Sequence, residues 1–413
     1  MTTLGKLLKW VKLSNSGNFL TLLVLIHCFK NQGKWINNSC IVITQFILEK
    51  WKNYCGAKLV INTIKVQREN ESCVNTLRHS LMGFNKNYLV KIPFNYIIKK
   101  VKWFSSMVTP QNLIIHPWFL TGFSDAEGCF TIAIVKRKDC KSGWAVKPKF
   151  QINFHERDKA LIDNIHRSLG VGVVSTGGSN SQSTQLTVSS IKDLQIIIKH
   201  FDKYPLISQK LIDYQLFKEA LNLILLKSHV TLEGLRKIVA IKASINKGLS
   251  NDLKIAFPGV KPVKRPEYKV DNIVIPDPQW FAGFTSGEGC LLVRVKNSTT
   301  HRLGFSVELV FQINQHTRDK QLLLNLVKYL NCGIVFKHSE NAVVFKVTKF
   351  SDLNENIIPF FLKYPILGVK SKDFDDFCEI AGIMEKKGHL SLEGLDQIRQ
   401  IKRRMNTGRD HEV

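Results

Sequence analysis

The sequence predicts a protein of mixed helices and strands in which one domain is repeated twice. Three observations lead to this prediction. A short motif with helical character occupies residues 118–128 and returns at residues 280–289. Segments that follow the first motif also return, at an offset of 160 to 162 residues. Stretches in which polar and apolar residues alternate follow each motif, and this pattern is typical of strands with one buried face.

Each copy of the motif has residues that begin and end a helix. Pro117 and Pro278 fit the first helical position, because the N–H that proline lacks would have no partner there. Asp277 is a suitable N-cap for the second copy, and each copy closes at a glycine. Two short helices are therefore predicted.

Small residues recur on one side of each motif helix. They are Gly122 and Ala126 in the first copy and Gly283 and Gly287 in the second, both with i, i+4 spacing. If these faces pack on each other, the backbones approach closely and Glu127 and Glu288 emerge side by side. Two adjacent carboxylates repel each other, so either one keeps a proton or a metal ion lies between them. One such helix alone would be interpreted as a core helix, but two matching copies favour a paired site.

The composition points to a polyanionic partner. The 59 Lys and Arg exceed the 33 Asp and Glu, and a net charge of +26 is far more than solubility requires. The charge is spread along the chain rather than gathered on one amphipathic membrane helix.

The longest apolar run, residues 19–29, is too short for a bilayer span, although it follows three lysines and also resembles a targeting segment. Nine cysteines without a Cys-x-x-Cys pair predict free thiols and no zinc site.

The repeat divides the chain into four predicted regions. Residues 1–110 form a basic N-terminal extension with 16 Lys and Arg, 3 Asp and Glu and no sustained hydrophobic period. This extension is interpreted either as a nucleic-acid contact surface or as a poorly packed leader. The two domains occupy residues 111–250 and 277–413. The proline-containing basic linker between them, residues 251–276, is interpreted as a semi-rigid connector or as a further phosphate contact.

Within each copy we predict a motif helix, two strands, a helix, two strands and then further helices. Polar and apolar residues alternate over residues 146–155 and again over residues 306–314, where Val310 interrupts the polar side. Such polar side chains read base edges in the major groove, which admits a β-ribbon, so we favour sequence readout over a plain solvated surface. Ser306 and Glu308 share the polar side of the second copy. The predicted DNA-binding residues are Lys136, Lys147, Lys149, Gln151, Asn153, Arg294, Lys296, Gln312, Asn314 and Lys337.

The two motifs resemble those of double-motif LAGLIDADG homing endonucleases of the type encoded in fungal mitochondrial introns. The resemblance rests on Leu120-Thr-Gly-Phe-Ser-Asp-Ala-Glu-Gly128 and Phe281-Ala-Gly-Phe-Thr-Ser-Gly-Glu-Gly289. It implies an α+β fold of two pseudo-symmetric αββαββα domains, whose antiparallel sheets form a DNA-binding saddle. It also implies a mitochondrial, monomeric enzyme that uses Mg²⁺ to cleave both strands of a long double-stranded DNA target.

By this likeness, Glu127 and Glu288 bind Mg²⁺ and support hydrolysis of one phosphodiester on each strand. Lys210, Lys370 and Gln315 are candidates for assisting residues, and each can equally be an ordinary surface residue. The first alternative function is an RNA maturase that helps its host intron to splice, and the second is a structural DNA-binding protein without cleavage activity. The two retained glutamates favour the nuclease, because folding of RNA does not require them.

The second copy departs from the family pattern at one motif position. It has Ser286 where the first copy has Asp125. This position does not belong to the implied metal ligands, so the departure concerns the support of the second helix more than cleavage.

Overall fold

The structure, a computed structural model, describes residues 113–177, 182–268 and 274–409 in full, together with the backbone of four strands nearer the N-terminus. The chain separates into two compact units, Met1–Val108 and Thr109–Val413. In the first unit, one antiparallel sheet has the order β3-β2-β1-β4. Its strands are β1 Leu4–Asn15, β2 Asn18–Asn31, β3 Lys34–Ile36 and β4 Lys58–Lys65. These strands were not predicted from the sequence, because no hydrophobic period is sustained in this region.

The second unit begins with the first of two similar halves. Its helices are α1 Pro117–Glu127, α2 Lys159–Leu169, α3 Ile191–Lys203, α4 Lys210–Leu225 and α5 Leu232–Ser244. Its strands are β5 Gly128–Lys136, β6 Trp144–His155, β7 Val173–Thr176 and β8 Ser183–Val188. They form an antiparallel sheet with the order β5-β6-β8-β7.

The segment after α5 packs onto the first half. It begins with the short helix α6 Asn251–Ala256, and Phe257 and Val263 join the hydrophobic core of that half. Arg265 lies 2.9 Å from the carboxylate of the buried Asp213 and also donates to the carbonyl oxygen of Ser244. The guanidinium of Arg265 is therefore engaged by protein groups.

The second half repeats the order of elements. Its helices are α7 Pro278–Glu288, α8 Lys320–Leu330, α9 Phe350–Asp352, α10 Ile358–Lys363, α11 Lys370–Glu385 and α12 Leu392–Arg403. Its strands are β9 Gly289–Asn297, β10 Phe305–His316, β11 Ile334–Ser339 and β12 Ala342–Val347, in the antiparallel order β9-β10-β12-β11. In the part of the chain that the structure describes, no helix is long and apolar enough to cross a bilayer.

One face of each sheet is buried under helices by aromatic side chains. In the first half the ring of Phe130 lies 5.1 Å from that of Phe150 and 5.6 Å from that of Phe201. In the second half the rings of Phe281 and Phe311 lie 6.4 Å apart. The helices thus leave the other face of each sheet open. The predicted α+β fold with two similar antiparallel halves is confirmed.

The two halves meet through the small residues of α1 and α7. A Cβ atom added to Gly122 would lie 1.9 Å from the carbonyl oxygen of Trp280, and one added to Gly283 would lie 2.0 Å from that of Phe119. Both distances are far below van der Waals contact, so only glycine fits at either position. A Cβ at Gly287 would meet the Cβ of Ala126 at 2.4 Å. The predicted close packing of the two motif helices is confirmed.

Candidate active site

The starts of α1 and α7 fix the direction in which each motif helix runs. Pro117 and Pro278 occupy the first turn of their helices, as predicted. The side chain of Asp277 accepts a hydrogen bond from the backbone N–H of Gln279 at 2.7 Å, which confirms the predicted cap. The first helix is capped by His116, whose Nδ1 accepts from a backbone N–H at 3.3 Å. This cap was not predicted from the sequence, because histidine is not among the preferred N-cap residues.

Glu127 and Glu288 end these helices and lie close enough to interact. Both side chains are half-buried, and burial raises the pKa of each carboxyl. The charge of Glu127 further raises the pKa of Glu288. Lys210 and Lys370 oppose the shift and lower the pKa of both groups. The two glutamates therefore share one site with the two predicted lysines.

The two lysines are held by the ends of the motif helices. Lys210 Nζ donates to the carbonyl oxygens of Ser124 and Ala126 at 3.1 and 3.0 Å. Lys370 Nζ makes the equivalent pair of bonds to the last turn of α7 at 3.2 and 2.5 Å. Burial lowers the pKa of both amines, to about 8 for Lys370, while Glu127 and Glu288 raise them. Neither lysine is thus an ordinary surface residue.

The predicted residue Gln315 also belongs to this cluster. Its side chain hydrogen bonds to Glu288 and lowers the pKa of that carboxyl against the effect of burial. The equivalent position in the first half holds the apolar Phe154. The two carboxylates therefore have different neighbours, although the helices that carry them are alike.

The pair of glutamates fits a divalent cation that shares its ligands with a substrate. Among the fully described residues, no group of three or more His, Cys, Asp and Glu side chains could hold a metal ion by itself. Glu127 and Glu288 supply two carboxylates whose charges repel each other, and a cation between them would relieve that repulsion. Mg²⁺ is usually bound by one or two carboxylates plus water and substrate phosphates, so this donor set suits it.

Asp125 and Ser286 support their helices in related ways. Asp125 is buried, and its carboxylate accepts from the backbone N–H of Ile207 at 3.0 Å and from the indole N–H of Trp280 at 2.8 Å. Ser286 Oγ accepts from the backbone N–H of Leu367 at 3.0 Å. The departure from the family pattern at Ser286 therefore preserves the bond to the loop that precedes the lysine helix.

The strand register places most of the predicted DNA-binding residues on the open sheet faces. Lys147 and Lys149 lie opposite Ala133 and Thr131 of β5, on the side away from Phe130 and Phe150. Gln151 and Asn153 continue this side in the first half, and Arg294, Lys296, Ser306, Glu308, Gln312 and Asn314 form it in the second. Val310 interrupts it as predicted, since it is fully buried at an open-face position.

Lys136 and Lys337 do not share this side of the sheets. Lys136 lies opposite Trp144 and continues the side of β5 that carries the core residues Phe130, Ile132 and Ile134. Its Nζ is 5.6 Å from the centre of the Trp144 ring. Lys337 lies opposite the buried Val343, next to a β-bulge. Both ammonium groups are at exposed ends or edges, but the register separates them from the open faces. Lys136 and Lys337 therefore do not belong to the open faces that we expect to contact DNA.

The open faces also contain residues that the sequence analysis missed. Thr187 of β8 accepts from Gln151 Nε2 at 3.3 Å, and Lys346 of β12 lies opposite Gln312. Ile334 belongs to the edge strand β11, where it lies opposite Lys346 and is exposed. The strands β8, β11 and β12 contain six residues each, which is too few for a clear alternating pattern to stand out in the sequence.

Comparison with known proteins identifies the family. A family model described as LAGLIDADG endonuclease matches residues 120–221 and 281–381. Probable intron-encoded endonuclease 3 of Neurospora crassa is 36% identical over 95% of this chain and 77% of its own length. The chain belongs to the LAGLIDADG endonuclease family. Probable intron-encoded endonuclease 2 of the same fungus is 40% identical over 70% of this chain and 64% of its own length.

Solved LAGLIDADG homing endonucleases share the fold of the second unit. The I-SmaMI enzyme bound to cleaved DNA is 44% identical, with a TM-score of 0.70 over 72% of this chain and 99% of that structure. The I-GzeII enzyme in complex with its DNA target is 42% identical, with a TM-score of 0.66 over 72% of this chain and 100% of that structure. The predicted resemblance to double-motif LAGLIDADG endonucleases is therefore confirmed.

Proposed function

We propose that this LAGLIDADG protein is a site-specific DNA endonuclease that makes a Mg²⁺-dependent double-strand break in a long target site. The proposal rests on one observation: packing of α1 against α7 brings Glu127 and Glu288 together with Lys210 and Lys370 in a single chain. Paired carboxylates flanked by fixed cations suit hydrolysis of a phosphodiester. One chain supplies both carboxylates, so we infer that it acts as a monomer.

Each side chain of the cluster has a role in this proposal. Glu127 and Glu288 would hold the metal ion through their carboxylates. When bound, Mg²⁺ supplies positive charge that polarises a phosphate oxygen and makes a water molecule more acidic. Lys210 and Lys370, fixed by backbone carbonyls, place further positive charge where negative charge develops on the phosphate. Gln315 orients the carboxylate of Glu288.

Double-stranded DNA is the proposed partner. The I-SmaMI and I-GzeII structures are DNA complexes, and the net charge of +26 favours a polyanion. The open faces carry Lys, Arg, Gln and Asn side chains, which pair with base edges in the major groove. Several relatives are named as intron-encoded proteins of fungi, which supports the mitochondrion as the place where this chain acts.

An RNA maturase is not favoured as the alternative. The two Neurospora crassa relatives are named as endonucleases, and the I-SmaMI and I-GzeII structures are complexes with DNA. A protein that only folds its host intron RNA would have no use for two carboxylates held together against their repulsion.

A cleavage assay on a library of randomised duplexes tests the proposed function. We expect the full chain to cut a small set of related sites on both strands in Mg²⁺ and none in EDTA. Sequencing of the cut ends then gives the target duplex for all later measurements. Binding without cleavage in Mg²⁺, or cleavage that persists in EDTA, would contradict the proposal.

A further inference from the structure

Two aspartates outside the motif helices occupy equivalent positions in the two halves. Asp158 directly precedes α2 and Asp319 directly precedes α8, each at the end of a short 3-10 turn. Both are buried, with 5% of the residue exposed. An aspartate at this N-cap position commonly accepts a hydrogen bond from the first turn of its own helix. Neither carboxylate makes such a bond.

Each carboxylate instead accepts a hydrogen bond from the opposite half. Asp158 Oδ1 lies 2.6 Å from the backbone nitrogen of Val369, and Asp319 Oδ1 lies 2.8 Å from that of Gln209. Val369 and Gln209 are the N-cap residues of α11 and α4, and their own side chains make no capping bond. A helix N-terminus carries free N–H groups and partial positive charge, so a carboxylate there is stabilising. The two halves thus exchange helix caps.

The residue after each of these capped positions is an active-site lysine. Helix α4 begins at Lys210 and α11 begins at Lys370. Each amine reaches back to two carbonyl oxygens at the end of a motif helix, at distances of 2.5 to 3.2 Å. A shift of about 1 Å in the first turn of either helix would break these bonds and misplace the amine.

The surroundings of the caps allow little movement. Gly368, directly before Val369, has a φ of +78°, and a Cβ atom there would lie 2.4 Å from Asp158 Oδ1. The other carboxylate oxygen of Asp158 faces Arg157 Nε at 3.8 Å, and that of Asp319 faces Arg318 Nε at 3.6 Å. In both cases Oδ1 is left for the backbone donor of the opposite half.

We propose that Asp158 and Asp319 are positioning residues that each fix the active-site lysine of the opposite half, Asp158 for Lys370 and Asp319 for Lys210. This inference rests on the proposed function, because it takes both lysines as parts of the cleavage site. Each lysine reaches its working position only when the other half is folded against it. Cleavage of the two strands is thereby coupled to assembly of both halves.

The test uses the full chain and the duplex recovered from the library, with a different fluorophore on each strand. Asp158→Ala and Asp319→Ala remove the caps, whereas Asp158→Asn and Asp319→Asn keep an acceptor oxygen without the charge. Lys370→Met and Lys210→Met report the effect of losing each amine. Ser190→Ala is the matched control, because it removes the bond that the backbone N–H of Asp193 donates to Ser190 Oγ at 3.1 Å, a cap on α3, which contains neither lysine.

We expect each alanine variant to lower kcat on the order of 10²-fold, mainly for one strand, with KM and the affinity measured in Ca²⁺ unchanged. Asp158→Ala should slow the same strand as Lys370→Met, and Asp319→Ala the same strand as Lys210→Met. Each asparagine variant should be intermediate, because a neutral oxygen accepts a weaker hydrogen bond than a carboxylate. If an alanine variant does not fold, the corresponding asparagine variant is compared with the lysine variant instead. Ser190→Ala should cleave both strands at the wild-type rate, even with a lower melting temperature.

Three outcomes would overturn the inference. The aspartate variants could cleave at the wild-type rate while the lysine variants are slow, which would leave the proposed function intact. The aspartate variants could slow both strands equally in proportion to lost stability, as a purely structural cap would. If the lysine variants themselves cleave normally, their assignment in the proposed function fails and this inference fails with it.

Discussion

At the scale of single residues, the two glutamates should govern cleavage but not binding. Glu127→Gln and Glu288→Gln keep the shape of each side chain and remove the charge that would hold Mg²⁺. We expect each variant to lose double-strand cleavage on the order of 10²-fold or more, while site-specific binding stays intact. A plasmid assay that separates supercoiled, nicked and linear DNA measures the first effect, and a gel shift in Ca²⁺ measures the second.

A control for this prediction is Glu233→Gln on α5. Glu233 is exposed and pairs with Lys237 of its own helix, at 2.8 Å, so its loss should leave cleavage unchanged. Because Gln315 contacts Glu288 while Phe154 takes its place in the first half, the two glutamate variants can differ in which strand they still nick. Linearisation at wild-type rates by both variants would remove the glutamates from the mechanism.

Lys149 and Lys136 separate sequence readout from general attraction to DNA. Lys149 is on the open face, whereas Lys136 belongs to the opposite side of the sheet. Lys149→Ala should therefore relax base preference at a few adjacent positions, with a cost of about 1–3 kcal/mol for the preferred bases. Lys136→Ala should leave the preference unchanged. Cleavage of a library by each variant gives both profiles, and a uniform loss over all sites with Lys149→Ala would show that this lysine contacts phosphate.

At the scale of elements, helix α3 contains a histidine that the fold keeps neutral. Burial lowers the pKa of His200 to about 4. The hydroxyl of Thr121 donates to the Tyr204 carbonyl at 3.0 Å and contacts His200 Nε2 at 3.1 Å, so the ring N–H donates to that hydroxyl. Protonation of the His200 ring would add a buried charge, but this contact offers no further hydrogen-bond acceptor for it. The histidine thus links α3 to the motif helix α1 in its uncharged form.

This pKa shift predicts a loss of stability in mild acid. The unfolded chain takes up a proton on His200 near its ordinary pKa, about 6.5, but the folded chain does so only near pH 4. The unfolded state therefore binds more protons between these values, and the free energy of unfolding falls as the pH falls through this window, by up to about 3 kcal/mol. His200→Gln keeps the N–H donor without the titration, so its melting temperature should fall less between pH 7 and pH 4.5.

The matched control is His338→Gln, because His338 is exposed on β11. Its melting temperature should follow that of the wild type at every pH. An equal decline in the wild type and in His200→Gln would show that other groups are responsible for the acid sensitivity.

The elements differ in how far the sequence could predict them. The motif helices were predictable because glycine spacing, proline starts and terminal glutamates all appear within a few residues, twice. The long strands β6 and β10 were predictable from their alternation. The caps that Asp158 and Asp319 provide were not, since their partners Val369 and Gln209 are 211 and 110 residues away in the chain. A backbone N–H is the same for every residue type except proline, so it gives no signal in the sequence.

At the scale of the whole molecule, residues 106–413 should form an active enzyme alone. Both glutamates and both lysines belong to the unit Thr109–Val413, and the contacts described for them stay within that unit. We expect this truncated chain to fold and to cleave the target duplex at close to the rate of the full chain. Circular dichroism and the two-strand cleavage assay check the two parts. A folded but inactive fragment would make residues 1–105 part of the enzyme.

The hydrogen bond from Trp280 to Asp125 gives the two halves separate identities. Phe119 has the position in α1 that Trp280 has in α7, and it has no polar hydrogen to donate. Two first halves paired together would leave each Asp125 without its indole donor, and two second halves would bury two indole N–H groups without this acceptor, which costs about 1–3 kcal/mol for each group. Pairing of two identical halves is therefore disfavoured, and a first half pairs with a second half. A chimera of halves from different relatives should therefore keep an aspartate at the position of Asp125 together with a tryptophan at the position of Trp280.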